Sequence, residues 1–559
     1  MKLNAEQQEA LTHLDGPVRI IAGAGTGKTF TLIHRVDALV KSGKVREGKI
    51  LLLTFTNKAA NELSERLVKM GHKGIKAMTF HSLAARLLKK YWCEDFEILD
   101  EKSREEIIKN LMDKFELVRS KKLIKRPENN PLLYKKYTDV LKERNALDFS
   151  LLMPSLLEFW EENPTILEKC QRLFDYVLVD EYQDVNDVQI GILKKLTELH
   201  SNICVVGDSD QTIYSWRGAD ASTLCDFAAE FNCVRTIILN KNYRNPPHIL
   251  SAANCLIENN SNRFEKALKA TVSNSEKINY WSLSDEYEQE EAISFCLENY
   301  FGAISSMHDA HDLDHKSKGR GFMDLAILYR SQLEGRIIAE LLAKKGYPYQ
   351  ISNNEYFWNK KEVRGFMAEL SVLRNYKFVR DQKFSSWLGE RIDDFVKAGK
   401  FSGTQISRLN QLVIYAIAYD SLSLKEALLQ FIVEYEIVED QDNLIFDNKI
   451  NLLTLHAAKG LEFPIVMIIG LEEGALPSKK SINDEYMLEE ERRLMFVGMT
   501  RATEELHLFS RSKFRSEKKD QSRFISEIPL DFIEYKSLPS QRMDRLKRKS
   551  AKRAQIKMF

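Results

Sequence analysis

The chain is short of several things, and each shortage argues against a class of function. Its 559 residues include only seven cysteines, with no Cys-x-x-Cys pair and none beyond Cys296. That usage argues against a zinc ribbon, an iron–sulfur cluster or a disulfide scaffold, and it suits a reducing compartment. No apolar run approaches the ~20 residues that a membrane-spanning helix needs. The opening MKLNAEQQEA lacks the apolar core of a signal peptide. A soluble cytoplasmic protein is therefore expected. Net charge is missing too: 82 Lys and Arg oppose 81 Asp and Glu, which leaves +1. The field of the whole chain thus neither predicts nor excludes nucleic acid, and any basic surface must be local. The length is too great for one core and implies roughly three to four domains.

The first strong positive signal is VRIIAGAGTGKTFTLIHRV, Val18 to Val36. A short apolar run enters a Gly-rich loop, and a helical pattern follows with Phe30, Ile33 and Val36 on one face. Strand, loop and helix in that order make the setting of a phosphate-binding loop. Its expected phosphate cradle is Ala22, Gly23, Ala24, Gly25, Thr26, Gly27, Lys28 and Thr29. The glycines let backbone N–H groups turn inward, Lys28 supplies a point charge at the β- and γ-phosphates, and the Thr29 hydroxyl can ligate Mg²⁺.

A second carboxylate site comes from FDYVLVDEYQD, Phe174 to Asp184. Tyr176 to Val179 reads as a buried parallel strand that ends in Asp180-Glu181. Asp180 would hold Mg²⁺, and Glu181 would orient and deprotonate an attacking water. No second Gly-rich loop appears, so one ATP site is expected.

In VGDSDQTIYSWRGAD, Val206 to Asp220, a polar cluster and an aromatic cluster lie within ten residues of each other. Ile203 to Val206 is another short apolar strand, and loops leaving strand C-termini line the ligand crevice of a doubly wound sheet. Gln211 is expected near the γ-phosphate. Trp216 and Arg217 could reach a second surface, where an aromatic face stacks nucleobases with little sequence preference. One loop would then touch both ATP and a single strand.

Taken together the motifs resemble the UvrD/Rep/PcrA family of superfamily 1A DNA helicases. LNAEQQEA (3–10) resembles its Q motif, AGAGTGKT motif I, LLLTFTNKAA (51–60) motif Ia and MTFHSLA (78–84) motif Ib. VDEYQD (179–184) resembles motif II, GDSDQTIYSWRGA (207–219) motif III and LNKNYRNPPHIL (239–250) motif IV. TLHAAKGLEFPIVMIIGLEEGALPS (454–478) resembles motif V, and EEERRLMFVGMTRATEEL (489–506) motif VI. The resemblance implies an α/β fold: two RecA-like P-loop domains, each a parallel sheet flanked by helices, with inserted helical subdomains. It implies that Gln7 reads adenine, Tyr243 stacks on it, Arg35 lies near the base and Glu462 faces the ribose. It implies that Arg244 and Arg501 are arginine fingers and that Gln211 senses the γ-phosphate. On the DNA side it implies Phe55, His81, Tyr214, Trp216, Arg217 and His456. The implied activity is ATP-driven 3′→5′ movement along single-stranded DNA and unwinding of tailed duplex.

The expected division is 1–90 with 173–236 for the first RecA-like domain and 237–375 with 448–535 for the second. Insertions fall at 91–172 and 376–447, and a basic tail at 536–559. The second insertion is well under half the family's usual size. That leaves an alternative open: a motor that translocates but unwinds poorly alone, within a repair or anti-phage complex that has a separate nuclease. HDAHDLDH (308–315) packs three His and three Asp together, but Ser, Lys and Gly flank it and it reads as a solvated loop. The last residues, QIKMF, resemble the peptide with which bacterial proteins dock on the replication sliding clamp, through Gln555, Met558 and Phe559.

Overall fold

The computed structural model describes residues 3–548, apart from 76, 94–95, 100, 216–217, 274–275, 303–319, 352–359, 374–381, 421, 437–447, 545 and 547. Trp216, Arg217, the HDAHDLDH segment and the QIKMF terminus lie outside the described residues.

Two all-parallel sheets organise the chain. The first contains β1 (Val18–Ala22), β2 (Ile50–Thr54), β3 (Ala77–Thr79), β4 (Tyr176–Val179), β5 (Ile203–Gly207) and β6 (Arg235–Leu239), in the order β3-β2-β4-β5-β1-β6. Four of these strands are buried along their whole length. Helices cover both faces of such a sheet, so its strands read as unbroken apolar runs. Three neighbours matter most. Ile21 pairs in register with Gly207, and Val179 with Val205. The C-terminal ends of β4, β5 and β1 therefore open side by side on one edge, where ligands bind in this architecture.

The second sheet contains β7 (Ile278–Leu283), β8 (Leu325–Tyr329), β9 (Tyr349–Ile351), β10 (Ile450–Thr454), β11 (Phe463–Ile468), β12 (Ala502–Arg511) and β13 (Ile533–Lys536). Its order is β9-β10-β8-β11-β12-β7-β13. The helices Pro247–Ile257 and Glu485–Met499 pack on it and share one core with β10, β11 and β12. Ile213, Tyr214 and Ala219 from the loop after β5 are buried in that same core. The loop leaving the first sheet is thus built into the second unit.

Each insertion has its own core. The first gathers Leu99, Ile108, Met112, Leu133, Tyr137 and Leu141. It is pinned by buried Asp148, which accepts from Arg104 Nε (3.2 Å), Tyr137 OH (2.6 Å), Ser150 Oγ (2.7 Å) and Leu151 N (3.0 Å). The helix Leu152–Glu162, expected inside this insertion, instead buries Leu152, Leu156 and Trp160 in the core of the first sheet.

Among the described residues the second insertion is a bundle of four α-helices, Lys361–Val372, Phe384–Ala398, Gly403–Ala416 and Leu424–Glu436. Its core holds Val363, Phe366, Leu388, Leu412 and Phe431. It begins by Lys361, earlier than the expected boundary at 376, because Val363, Phe366 and Leu370 side with the bundle. The tail also differs from a free arm at its start. Arg542 donates to Glu291 (3.1 Å) and pairs with Glu298, while Met543 and Leu546 pack on the second sheet's core.

Candidate active site

The Gly-rich loop leaves β1 and turns into the helix Lys28–Lys41 at Gly27. Thr26 Oγ1 donates to Gly23 O at 2.9 Å and closes the turn. The segment after β6 lies directly against it. Asn242 Nδ2 donates to Ala24 O (2.7 Å) and Tyr243 N to Gly25 O (2.8 Å). Gly25 has φ +65°, and a Cβ there would come within 2.6 Å of the Arg244 Cβ. Only glycine meets both demands. The phosphate loop and the segment bearing Tyr243 and Arg244 are one packed unit.

The N-terminal helix Ala5–Thr12 is tied in by reciprocal capping between Asn4 and Gln7. Gln7 Nε2 donates to Thr26 O at 3.2 Å, and Asn4 Nδ2 donates to Tyr243 OH at 3.0 Å. Gln7 and Tyr243 are thereby brought to the same side of the phosphate loop. Arg35 is buried, and its Nη1 donates to Ala10 O and His13 O (2.5 Å each) and its Nη2 to Leu14 O (3.1 Å). Its guanidinium holds the end of the Gln7 helix in place.

The carboxylates stand opposite Lys28. Lys28 Nζ lies 3.5 Å from Glu181 Oε2. Glu181 has φ +52°, a left-handed conformation uncommon for a residue with a side chain. Burial and the neighbouring Glu181 push Asp180 up to about 7. Burial also works against ionised Glu181, but Lys28 and Lys459 outweigh it and bring Glu181 down to about 2. Glu181 is therefore an anion at neutral pH. Asp180 Oδ1 accepts from Glu181 N (3.0 Å), and among the described residues the Thr29 hydroxyl has no hydrogen-bond partner. Two hard oxygens beside a phosphate loop fit Mg²⁺, which keeps several waters and takes few protein ligands.

Two arginines face this centre, Arg244 from the segment packed on the phosphate loop and Arg501 from the second unit. Arg244 Nε donates to Glu462 Oε2 at 2.7 Å. Arg501 is buried, its Nε on Val497 O (2.9 Å) and its Nη1 on Leu461 O (3.2 Å). Burial and the charge of Arg244 push Arg501 down to about 9. Two cations that raise each other's energy in a buried place make a site that favours an anion between them. Gln211 is buried with its Nε2 donating to Asp208 Oδ2 at 2.7 Å.

One residue at this centre was not singled out from sequence. Lys459 Nζ donates to Asp184 Oδ2 (2.5 Å) and to Gln211 O (2.7 Å), and it stands 5.1 Å over the Tyr214 ring. Its position three residues after His456, in a Gly-containing turn, was the available signal.

Three of the expected DNA-side rings come together. Phe55 stacks on Tyr214 (centroids 5.4 Å apart, 15° between planes), and His456 lies 6.4 Å from Tyr214 at 44°. These three rings come from both sheet units and meet at their junction. Burial, Arg330 and Lys459 push His456 down to about 3, so its imidazole is neutral at neutral pH. His81 stacks on Phe149 at 3.8 Å.

Comparison with known proteins decides the family. Residues 3–130 and 120–232 match the UvrD/REP helicase N-terminal domain, and residues 237–383 and 379–513 match the UvrD-like helicase C-terminal domain. The chain belongs to the UvrD/REP helicase family. It is 31% identical to the ATP-dependent DNA helicase PcrA of Bacillus subtilis, over 95% of this chain and 86% of that protein. It is 30% identical to the PcrA proteins of Staphylococcus aureus and Staphylococcus epidermidis, over 95% of this chain and 87% of each. The two UvrD-type matches meet between residues 232 and 237, at the start of β6, the last strand of the first sheet. Among the described residues no helix is long and apolar enough to cross a membrane.

Proposed function

We propose that this member of the UvrD/REP family hydrolyses ATP to move 3′→5′ along single-stranded DNA and to unwind tailed duplex, in repair, replication or recombination. The observation that carries the reading is the contact set of Lys459. A single side chain from the second unit holds the Gln211 main chain, Asp184 after the catalytic carboxylates, and the Tyr214 ring. A change at the γ-phosphate therefore cannot leave the aromatic cluster untouched.

In this reading Lys28, Arg244 and Arg501 hold the triphosphate and stabilise charge spreading over the transferring phosphoryl group. Glu181 takes a proton from the attacking water as the water oxygen bonds to the γ-phosphorus. The bond from that phosphorus to the bridging oxygen breaks, and ADP and phosphate leave. Mg²⁺, held through Thr29 and Asp180, would neutralise phosphate charge. Gln7 and Tyr243 orient the adenine, and Glu462 faces the ribose. Phe55, Tyr214 and His456, with Trp216 and Arg217, offer rings and polar tips to the bases, and His81 extends that surface.

The test is strand separation on 3′-tailed and 5′-tailed duplexes with single-strand-stimulated ATPase alongside. Unwinding of the 3′-tailed substrate alone is expected. Unwinding only from a 5′ tail would overturn the polarity, and absence of DNA stimulation would overturn the motor. The compact four-helix second insertion favours a second reading, in which the motor translocates but needs a partner complex with a separate nuclease to unwind. Strong ATPase with no unwinding of either substrate would select it. Clamp docking through Gln555, Met558 and Phe559 belongs to the same proposal and rests on the resemblance of QIKMF to clamp-docking peptides. Deleting 555–559 is expected to abolish clamp retention and leave DNA-stimulated ATPase unchanged.

A further inference from the structure

The segment 260–268, which follows the helix Pro247–Ile257, is held at both ends. Its first residues are bonded to the helix Glu485–Met499, at whose end Arg501 stands. Asn260 Nδ2 donates to Glu489 O (3.0 Å), Ser261 N to Glu489 Oε1 (2.6 Å), Arg492 Nη1 to Asn260 Oδ1 (2.5 Å) and Arg493 Nη2 to Asn262 O (3.1 Å). Its later residues reach the loop after β5. Lys266 Nζ lies 2.6 Å from Asp208 Oδ1 and 2.5 Å from Asp210 Oδ2. Arg263 grips Asp210 with Nε (3.0 Å) and Nη2 (2.9 Å), and Phe264 N donates to Ser209 Oγ (3.0 Å). Leu268 then packs so close to the phosphate loop that a Cβ on Gly23 would meet it at 2.6 Å.

Asp208 is the pivot. One of its oxygens faces Lys266 and the other accepts from Gln211 Nε2. The side chains of Lys266, Asp208 and Asp210 are at most 1% exposed. Buried carboxylates stay ionised only with a matching cation. Without Lys266, Asp210 would keep Arg263 while buried Asp208 would lose its ion pair, and the acceptor that orients the Gln211 carboxamide would be left without its matching cation.

We propose that Lys266 is a positioning residue for Gln211, the end of a strap that ties the Arg501 helix to the γ-phosphate sensor loop. The proposal rests on the reading of Gln211 given above. Burial opposes the charge on both partners, yet their attraction outweighs it: Asp208 is held below the usual carboxylate range and Lys266 above the usual lysine value.

The experiment measures kcat and the ATP KM of single-strand-stimulated hydrolysis, with thermal melting, on full-length Gln211→Ala, Lys266→Met and the double variant. Misplacing a group by about an ångström costs ~10²-fold in rate, so Lys266→Met is expected to lose kcat on that scale with little change in KM. Adding it to Gln211→Ala is expected to cost nothing further. Multiplying losses in the double variant would overturn the proposal, as would wild-type kcat in Lys266→Met. Wild-type kcat in Gln211→Ala would sink the sensor reading itself and the proposal with it, whereas a slow Gln211→Ala beside a normal Lys266→Met sinks only the strap. If Lys266→Met does not fold, Asp208→Asn with Lys266→Met removes one buried charge of each sign and carries the same test. It is expected to melt near wild type, lose kcat, and lose no more when Gln211→Ala is added; a further loss would overturn the proposal.

Discussion

The nucleotide side of the site is made of charge, and the aromatic side a few ångströms away is made almost without it. Lys28, Asp180, Glu181, Arg244 and Arg501 gather in a place where burial pushes Asp180 up and Arg501 down, and where Lys28 and Lys459 hold Glu181 down against burial. Phe55, Tyr214 and His456 bring rings, and the imidazole among them is held neutral. The difference follows from the two tasks proposed. Phosphoryl transfer is accelerated by fixed charges aimed at developing charge in a dry place. Passing along a strand needs contacts that every base can make and release, which stacking supplies and ion pairs do not. Lys459 belongs to both sides, bonded to Asp184 and lying over Tyr214.

The sharpest way to break this contrast is to remove a charge from the nucleotide side. Arg244→Ala is expected to lower DNA-stimulated kcat by ~10³–10⁵-fold, the usual worth of an arginine finger, while single-strand affinity without nucleotide changes little. Loss of strand affinity on the same scale would mean that Arg244 organises the junction as a whole. Next in size is Glu181→Gln. Removing a general base costs ~10²–10⁴-fold, so steady-state ATPase should fall by that much while ATP binding, followed by a fluorescent analogue, persists. If Glu181→Gln kept more than about a tenth of wild-type kcat, the proton would have to go elsewhere.

How much of this could be read from the chain depends on how local each feature is. The phosphate loop and Asp180-Glu181 are contiguous, and β1, β4 and β5 are buried on both faces, so their apolar runs stand out. β12 does not: Glu504, Glu505, His507 and Arg511 interrupt it, because its partners Arg320, Tyr300, Glu334 and Glu472 come from distant segments. Lys459 meets Asp184 across 275 positions, and no periodicity reports such a meeting. The start of the second insertion was misplaced because an amphipathic helix shows that it has a buried face, not which core receives it. Lys361–Val372 was free to join either. Arg35 has the same lesson in small: its hold on the carbonyls of Ala10, His13 and Leu14 at the end of the Gln7 helix leaves no local pattern in the chain.

Smaller effects are expected on the aromatic side. Phe55→Ala removes the ring stacked on Tyr214, and a lost stacking partner is worth ~1–3 kcal/mol per base. Single-strand affinity should fall by roughly 5–150-fold, while kcat at saturating DNA stays within a few-fold of wild type. A loss of kcat matching that of Arg244→Ala would erase the division between the two sides.

The smallest effect is also the most specific. His456 is pushed down to about 3 in the folded chain by burial, Arg330 and Lys459, from an ordinary value near 6.5. Between those values the unfolded chain binds a proton at this position and the folded chain does not. Stability contributed by His456 is therefore intact above about 6.5 and declines as the pH falls toward 3. His200 is shifted in the same direction by burial, whereas His72, clasped between Asp37 and Glu47, is shifted upward and adds the opposite slope. The comparison must therefore be wild type against His456→Asn, which changes one of these three and leaves the others. The variant's melting temperature should fall less steeply than that of the wild type from pH 6.5 to pH 5. Parallel curves would mean that His456 takes up a proton in the folded chain, and the aromatic side would then carry a titrating charge after all.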